Sequence, residues 1–101
     1  MIVLVATFKA KTGCEMELEN KLKTLVQHVQ GEKDTLVYTL HRGMDDISKF
    51  LVYEVYKDKE ARELHRSQPY VKEILGSITD LVQEPPAINL FEDICSIDDK
   101  V

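Results

Sequence analysis

The residues best suited to proton chemistry lie in one stretch, FLVYEVYKDKEARELH, residues 50–65. Glu54 interrupts an apolar, β-branched and aromatic run, and His65 follows eleven residues later. A carboxylate buried without a partner costs several kcal/mol or takes up a proton. A partner is therefore expected, and His65 is the nearest candidate. One reading is a structural ion pair that pins a short helix to a sheet. The other is an acid–base site in which Glu54 orients His65 for proton transfer. Residue types alone leave both open.

The elements that must position this pair can be read from periodicity. Residues 2–10 alternate as a strand, with Ile2, Leu4, Ala6 and Phe8 on one face and Val3, Val5 and Thr7 on the other. Lys11, Thr12 and Gly13 make a turn. Residues 15–30 read as a helix, because Leu18, Leu22, Leu25, Val26 and Val29 fall on one stripe. Glu15, Glu17 and Glu19 suit its N-terminal end, and Gly31 is a stop. Strands over 35–42 and 49–56 flank a GMDD connection and predict an antiparallel hairpin. Asp58 can cap a helix over 59–66, on which Ala61, Leu64 and His65 share an inward stripe. Ser67-Gln-Pro reads as a cap for a longer helix over 69–82, with Tyr70, Ile74, Ile78 and Leu81 buried. Pro85 and Pro86 end it, a last strand covers 87–94, and a polar tail closes the chain.

The order β-α-β-β-α-β, with its second helix broken, predicts an α+β, ferredoxin-like antiparallel sheet. Residues 1–95 form a single domain in this reading and 96–101 the polar tail. Alternation puts Glu54 on the helix-covered face with Phe50, Val52 and Tyr56. Tyr56, Phe8, Tyr38 and Tyr70 would then line a pocket around Glu54 and His65. The opposite face carries Val3, Val5, Val37, Leu51, Tyr53 and Val55, with no element left to cover it. Six such side chains at roughly 1.5–3 kcal/mol each favour a second copy packed sheet to sheet, a homodimer.

Other chemistries find little support. The chain has 101 residues and a formal net charge of −5, with charges interspersed, so a nucleic-acid partner is not expected. The four glycines are isolated, so no phosphate-cradling loop holds a nucleotide or flavin. His28, His41 and His65 lack metal-ligand spacing, and no metal site is expected. His28 reads as surface and His41 as interface or solvent. Cys14 and Cys95 form no zinc or redox pattern and fit free thiols in the cytoplasm. The opening run MIVLVATF is too short for a membrane span, which takes about 20 apolar residues, and it lacks the features of a signal peptide.

Taken together, MIVLVATFKAKTG, LVYTLHR at 36–42, KFLVYEVYKDKEARELHRSQPY at 49–70 and EPPAINLFE at 84–92 resemble the antibiotic biosynthesis monooxygenase domain of the dimeric α+β barrel superfamily. The resemblance covers nearly the whole chain. It implies a homodimeric barrel with a cavity between helices and sheet in each subunit. It also implies oxidation of a quinol-like or aromatic small molecule by dioxygen, without bound metal or flavin. His65 would be the general base, Glu54 its orienting partner, and Tyr38 and Tyr56 would position the ring.

The haem-degrading branch is disfavoured. Its Trp, His and Asn positions hold Tyr56, Ile74 and Ala6 here, and the chain has no Trp. A branch that isomerises a phosphorylated ketone in autoinducer-2 breakdown is an alternative, with Arg42, Arg62, Arg66 or Lys72 as candidate phosphate ligands. A non-catalytic small-ligand-binding or assembly module is the other.

Overall fold

The computed structural model describes residues 1–98. Its elements are β1 (Ile2–Lys9), α1 (Glu15–Val29), β2 (Thr35–Arg42), β3 (Lys49–Tyr56), α2 (Lys59–Ser67), α3 (Pro69–Ser77) and β4 (Ala87–Phe91). The strands form one antiparallel sheet in the order β2-β3-β1-β4. This is the expected α+β, ferredoxin-like arrangement.

Local chemistry explains the framework. Gly13 turns the chain at φ 89°, a left-handed conformation that suits glycine, and its N–H donates to Glu15 Oε1 at 3.0 Å. α1 then buries Leu18, Leu22, Leu25 and Val29 against the sheet and α3. Truncating a wholly buried leucine such as Leu22 to alanine costs about 2–5 kcal/mol. The β2–β3 hairpin has the expected bounds, with one irregularity between Thr35 and Val37 that leaves Leu36 unpaired. Asp58 caps α2, accepting from the Ala61 N–H at 2.9 Å.

Register sets the inner face. Leu4 pairs with Glu54 on one side of β1 and with Leu90 on the other, and Tyr38 pairs with Glu54 from β2. Glu54 therefore sits mid-sheet beneath the helices, among Leu4, Tyr38, Val52 and Tyr56.

Four expectations are corrected. Leu64 is exposed on α2, while Ala61 and His65, one turn apart, are buried. The 3.6-residue period lets the short helix bury only one narrow stripe, and Ala61 and His65 occupy it. α3 stops at Ser77 rather than running to residue 82. Ser77 and Thr79 hydroxyls take the carbonyls of Ile74 and Gly76, at 2.7 and 2.8 Å. The chain beyond is drawn to β1, where Lys11 N–H reaches Leu81 O and Gln83 N–H reaches Lys9 O, both at 2.8 Å. On α3 the fully buried residue is Val71, with Tyr70 and Ile74 only half-buried. Ser67 ends α2, its hydroxyl donating to Leu64 O at 2.7 Å, and does not cap α3.

The outer face of the sheet has no covering element among the described residues. Val37, Tyr53 and Phe91 are 38%, 39% and 54% exposed, Val3, Val5 and Leu51 are half-buried, and Val55 is buried. β4 ends at Phe91, and residues 92–98 carry no helix or strand. Of the expected polar tail, residues 99–101 lie outside the described residues. No helix among the described residues is long and apolar enough to cross a membrane.

Candidate active site

A cavity of about 420 Å³ opens between the inner face of the sheet and helices α2 and α3. Leu4, Ala6 and Phe8 of β1 form its floor, with Ile88 of β4, Tyr38 of β2 and Glu54 of β3. Val71 and Leu75 of α3 roof it, Pro86 closes one end, and His65 stands in its wall. Its polar rim is Arg62, Arg66 and Lys72. The size suits a small ring system, and the lining is mostly apolar with a few directed polar groups.

His65 is buried, with its ring 5.4 Å from those of both Tyr38 and Tyr56. The carboxylate that holds it is Glu32 rather than Glu54. His65 Nδ1 lies 2.9 Å from Glu32 Oε1 and 3.0 Å from Oε2. A carboxylate in this position accepts the Nδ1 proton, so the neutral ring keeps its lone pair on Nε2. Glu32 follows α1, in the loop that leads into β2. It also accepts from the Thr35 hydroxyl at 2.6 Å and from the Tyr70 hydroxyl. Three donors from β2, α2 and α3 thus converge on one loop carboxylate, and the imidazole has little freedom to turn.

Glu54 has a different partner, the Tyr56 hydroxyl two residues along the same strand and face. This local bond explains why it does not reach for His65. Burial pushes the Glu54 carboxyl up to about 7, against the Tyr56 hydroxyl and the Arg62 guanidinium, which both favour the charged form. Near neutrality it can therefore hold a proton and donate it. Burial, reinforced by nearby carboxylates, also raises Tyr38 and Tyr56 above the ordinary phenol range, so both stay protonated.

Of the residues singled out from sequence, Phe8, Tyr38, Glu54 and His65 line the cavity. Tyr56 is wholly buried beside His65, and Tyr70 turns to Glu32 and stacks on His28 with ring centroids 4.9 Å apart. Arg62, Arg66 and Lys72 reach the cavity. Arg42 does not; it is bonded to Glu19, with Nε at 3.1 Å. No cluster of three metal-ligating side chains occurs among the described residues.

The family model described as antibiotic biosynthesis monooxygenase matches residues 1–76, which include β1, the hairpin, α2 and most of α3. The chain belongs to the antibiotic biosynthesis monooxygenase family. Solved structures share its fold. Rv0793 from Mycobacterium tuberculosis superposes with a TM-score of 0.89 at 18% identity, over 96% of this chain and 98% of that one. PA3566 from Pseudomonas aeruginosa does so with a TM-score of 0.86 at 26% identity, over 93% and 94%. The uncharacterized protein sll1783 of Synechocystis sp. is 23% identical over 91 residues. This chain's match spans 90% of its own length and 62% of that relative's. In this family member the imidazole in the cavity wall, His65, is held from behind by Glu32.

Proposed function

We propose that this protein is a cofactor-independent monooxygenase acting on a small aromatic or quinol-like substrate. The observation that carries the reading is His65, a buried imidazole held at Nδ1 by Glu32 and standing in the wall of an apolar cavity. Family membership supports oxygen chemistry in general. In this mechanism His65 Nε2 takes the substrate hydroxyl proton, and Glu32 holds the ring and stabilises its charged form. Tyr38 and Phe8 hold the aromatic ring, and Glu54, its carboxyl pushed up to about 7, faces it from the sheet and donates when protonated.

The resulting electron-rich anion reacts with dioxygen directly. The substrate loses its O–H and one ring C–H hydrogen and gains one oxygen atom as a quinone carbonyl. The second oxygen atom leaves as water, so the substrate itself supplies every electron. The protein's contribution is binding, proton removal and exclusion of bulk water.

The active unit in this reading is a homodimer joined through the outer sheet face, since Val37, Tyr53 and Phe91 are otherwise exposed there. Its two free thiols fit a cytoplasmic setting. The second reading is an isomerase of a phosphorylated ketone, favoured by the three cations on the cavity rim.

Oxygen uptake by metal-free and flavin-free protein separates the two. A panel of quinols and hydroxylated aromatics is tested with His65→Ala in parallel. Enzyme-dependent uptake that collapses in the variant supports the monooxygenase. No uptake with any panel member overturns it and leaves the isomerase, tested next on phosphorylated ketones.

A further inference from the structure

The cavity rim has a charge that its surroundings do not predict. The chain is acidic, with a formal net charge of −5. Yet the lining includes Arg62, Arg66 and Lys72, opposed only by Glu54, whose carboxyl burial pushes up to about 7. Arg62 and Arg66 share one face of α2, a helical turn apart, with His65 between them. Lys72 meets them from the start of α3.

Arg62 adds a second, independent observation. Its Nε is the one buried side-chain polar atom without a hydrogen-bond partner among the described residues. Buried donors are almost always satisfied, and an orphan of this kind calls for a missing acceptor. The nearest carboxylate, Glu63, lies outside the cavity lining and is 65% exposed. It is 3.7 Å from Arg62 and 3.2 Å from Arg66, a loose arrangement rather than a bidentate one. A guanidinium fork matches an oxyanion in a plane, and Arg62 has donors to spare for it.

We propose that Arg62, Arg66 and Lys72 form an oxyanion-binding mouth, so that the natural ligand is a small hydroxylated molecule bearing a carboxylate or a phosphate. This deepens the functional reading above and rests on it for the hydroxyl end of the ligand. Arg62 and His65 lie three residues apart on α2, so their side chains are neighbours on one helix surface. The anionic group and the hydroxyl that loses its proton must therefore sit on the same small molecule, about one ring apart.

The test measures binding without turnover, by calorimetry under anaerobic conditions. The probes are carboxyhydroquinone, its methyl ester and hydroxyphenyl phosphate. The acid or the phosphate is expected to bind about tenfold or more tighter than the neutral ester, and less so as salt rises. Whichever of the two binds tighter identifies the source of the oxyanion. Arg62→Gln and Arg66→Gln reduce the preference at least severalfold. Glu63→Gln, which frees both guanidinium groups, increases it, a gain that a merely structural role would not produce. Arg66 and Glu63 are 58% and 65% exposed, so those two variants keep the test alive if Arg62→Gln unfolds. His65→Ala retains the preference, which separates this proposal from the oxygen chemistry. Equal binding of acid, phosphate and ester, or a preference unchanged in both arginine variants, overturns the mouth even if oxygen uptake is observed.

Discussion

Glu32 Oε1 stands 2.9 Å from His65 Nδ1, a contact that spans 33 residues of chain. It joins the loop after α1 to the second helix, and it occupies Nδ1, leaving Nε2 as the ring nitrogen not bound to Glu32. The first expectation concerns that nitrogen. His65→Ala should fold, keep its circular dichroism, and lose about 10²–10⁴ in rate of oxygen uptake. A folded variant with unchanged turnover would remove His65 from the chemistry.

Glu32 acts through His65, so its variants should separate position from packing. Glu32→Gln keeps one acceptor oxygen, replaces the other with an NH2 donor and removes the charge, and should lower kcat by about 10-fold to 100-fold with little change in KM. Glu32→Ala leaves the Thr35, His65 and Tyr70 donors unsatisfied and should in addition cost about 2–4 kcal/mol in urea unfolding. Equal stability of Glu32→Ala and the parent chain would contradict the convergence of donors on this carboxylate.

Tyr70 offers a contrast, because its hydroxyl is spent on Glu32 rather than on the cavity. Tyr70→Phe should lower stability by about 1–3 kcal/mol and leave KM unchanged. A raised KM with unchanged stability would place Tyr70 against the substrate instead.

Glu54 ties stability to pH. Its carboxyl has an ordinary value of 4.5 and is pushed up to about 7 in the folded chain, chiefly by burial. The folded state then binds more protons than the unfolded state between these values. This contribution is full at low pH and is lost as pH rises through that window, by about 3 kcal/mol in all. Glu54→Gln cannot ionise and should flatten the fall. Urea midpoints from about pH 4 to about pH 8 test the sign, and a parent chain that gains stability relative to the variant across the window would refute it.

The outer sheet face gives a prediction about assembly. Tyr53→Lys, in the centre of the uncovered face, should convert a sedimenting dimer to monomer without loss of secondary structure. A parent chain that sediments as a monomer at all concentrations would dismiss sheet-to-sheet pairing.

Much of this was legible before any coordinates. The strands of the hairpin, the Asp58 cap and the inward Glu54 follow from alternation and capping chemistry, which are local. His65 in the cavity wall also followed, although through Leu64, which points outward; the buried pair is Ala61 and His65. Glu32 was missed because a loop residue has no periodicity to place it. A signal did exist, since pairing β2 with β3 brings Thr35 beside Tyr56 and so carries the preceding loop to the start of α2. His65 is the nearest candidate partner for Glu54 along the chain, but Tyr56 is nearer in space and Glu32 takes the imidazole. The early end of α3 is hidden because its apolar pattern continues past Ser77, while hydroxyls there and the C-terminal end of β1 take the backbone bonds.

β1 lies inside the sheet, with β3 on one side and β4 on the other, and both partners come much later in the chain. The hairpin can zip early from neighbouring residues, but each ladder of β1 must close a long loop first, which makes those steps slow. Ile88 joins the cavity only when β4 docks along β1, and Pro86 precedes it. A nascent or refolding chain that has its hairpin and first helix but not its last strand therefore lacks part of the pocket. Ligand added during refolding should meet only the finished molecule, trapping the end product without hastening the steps that lead to it.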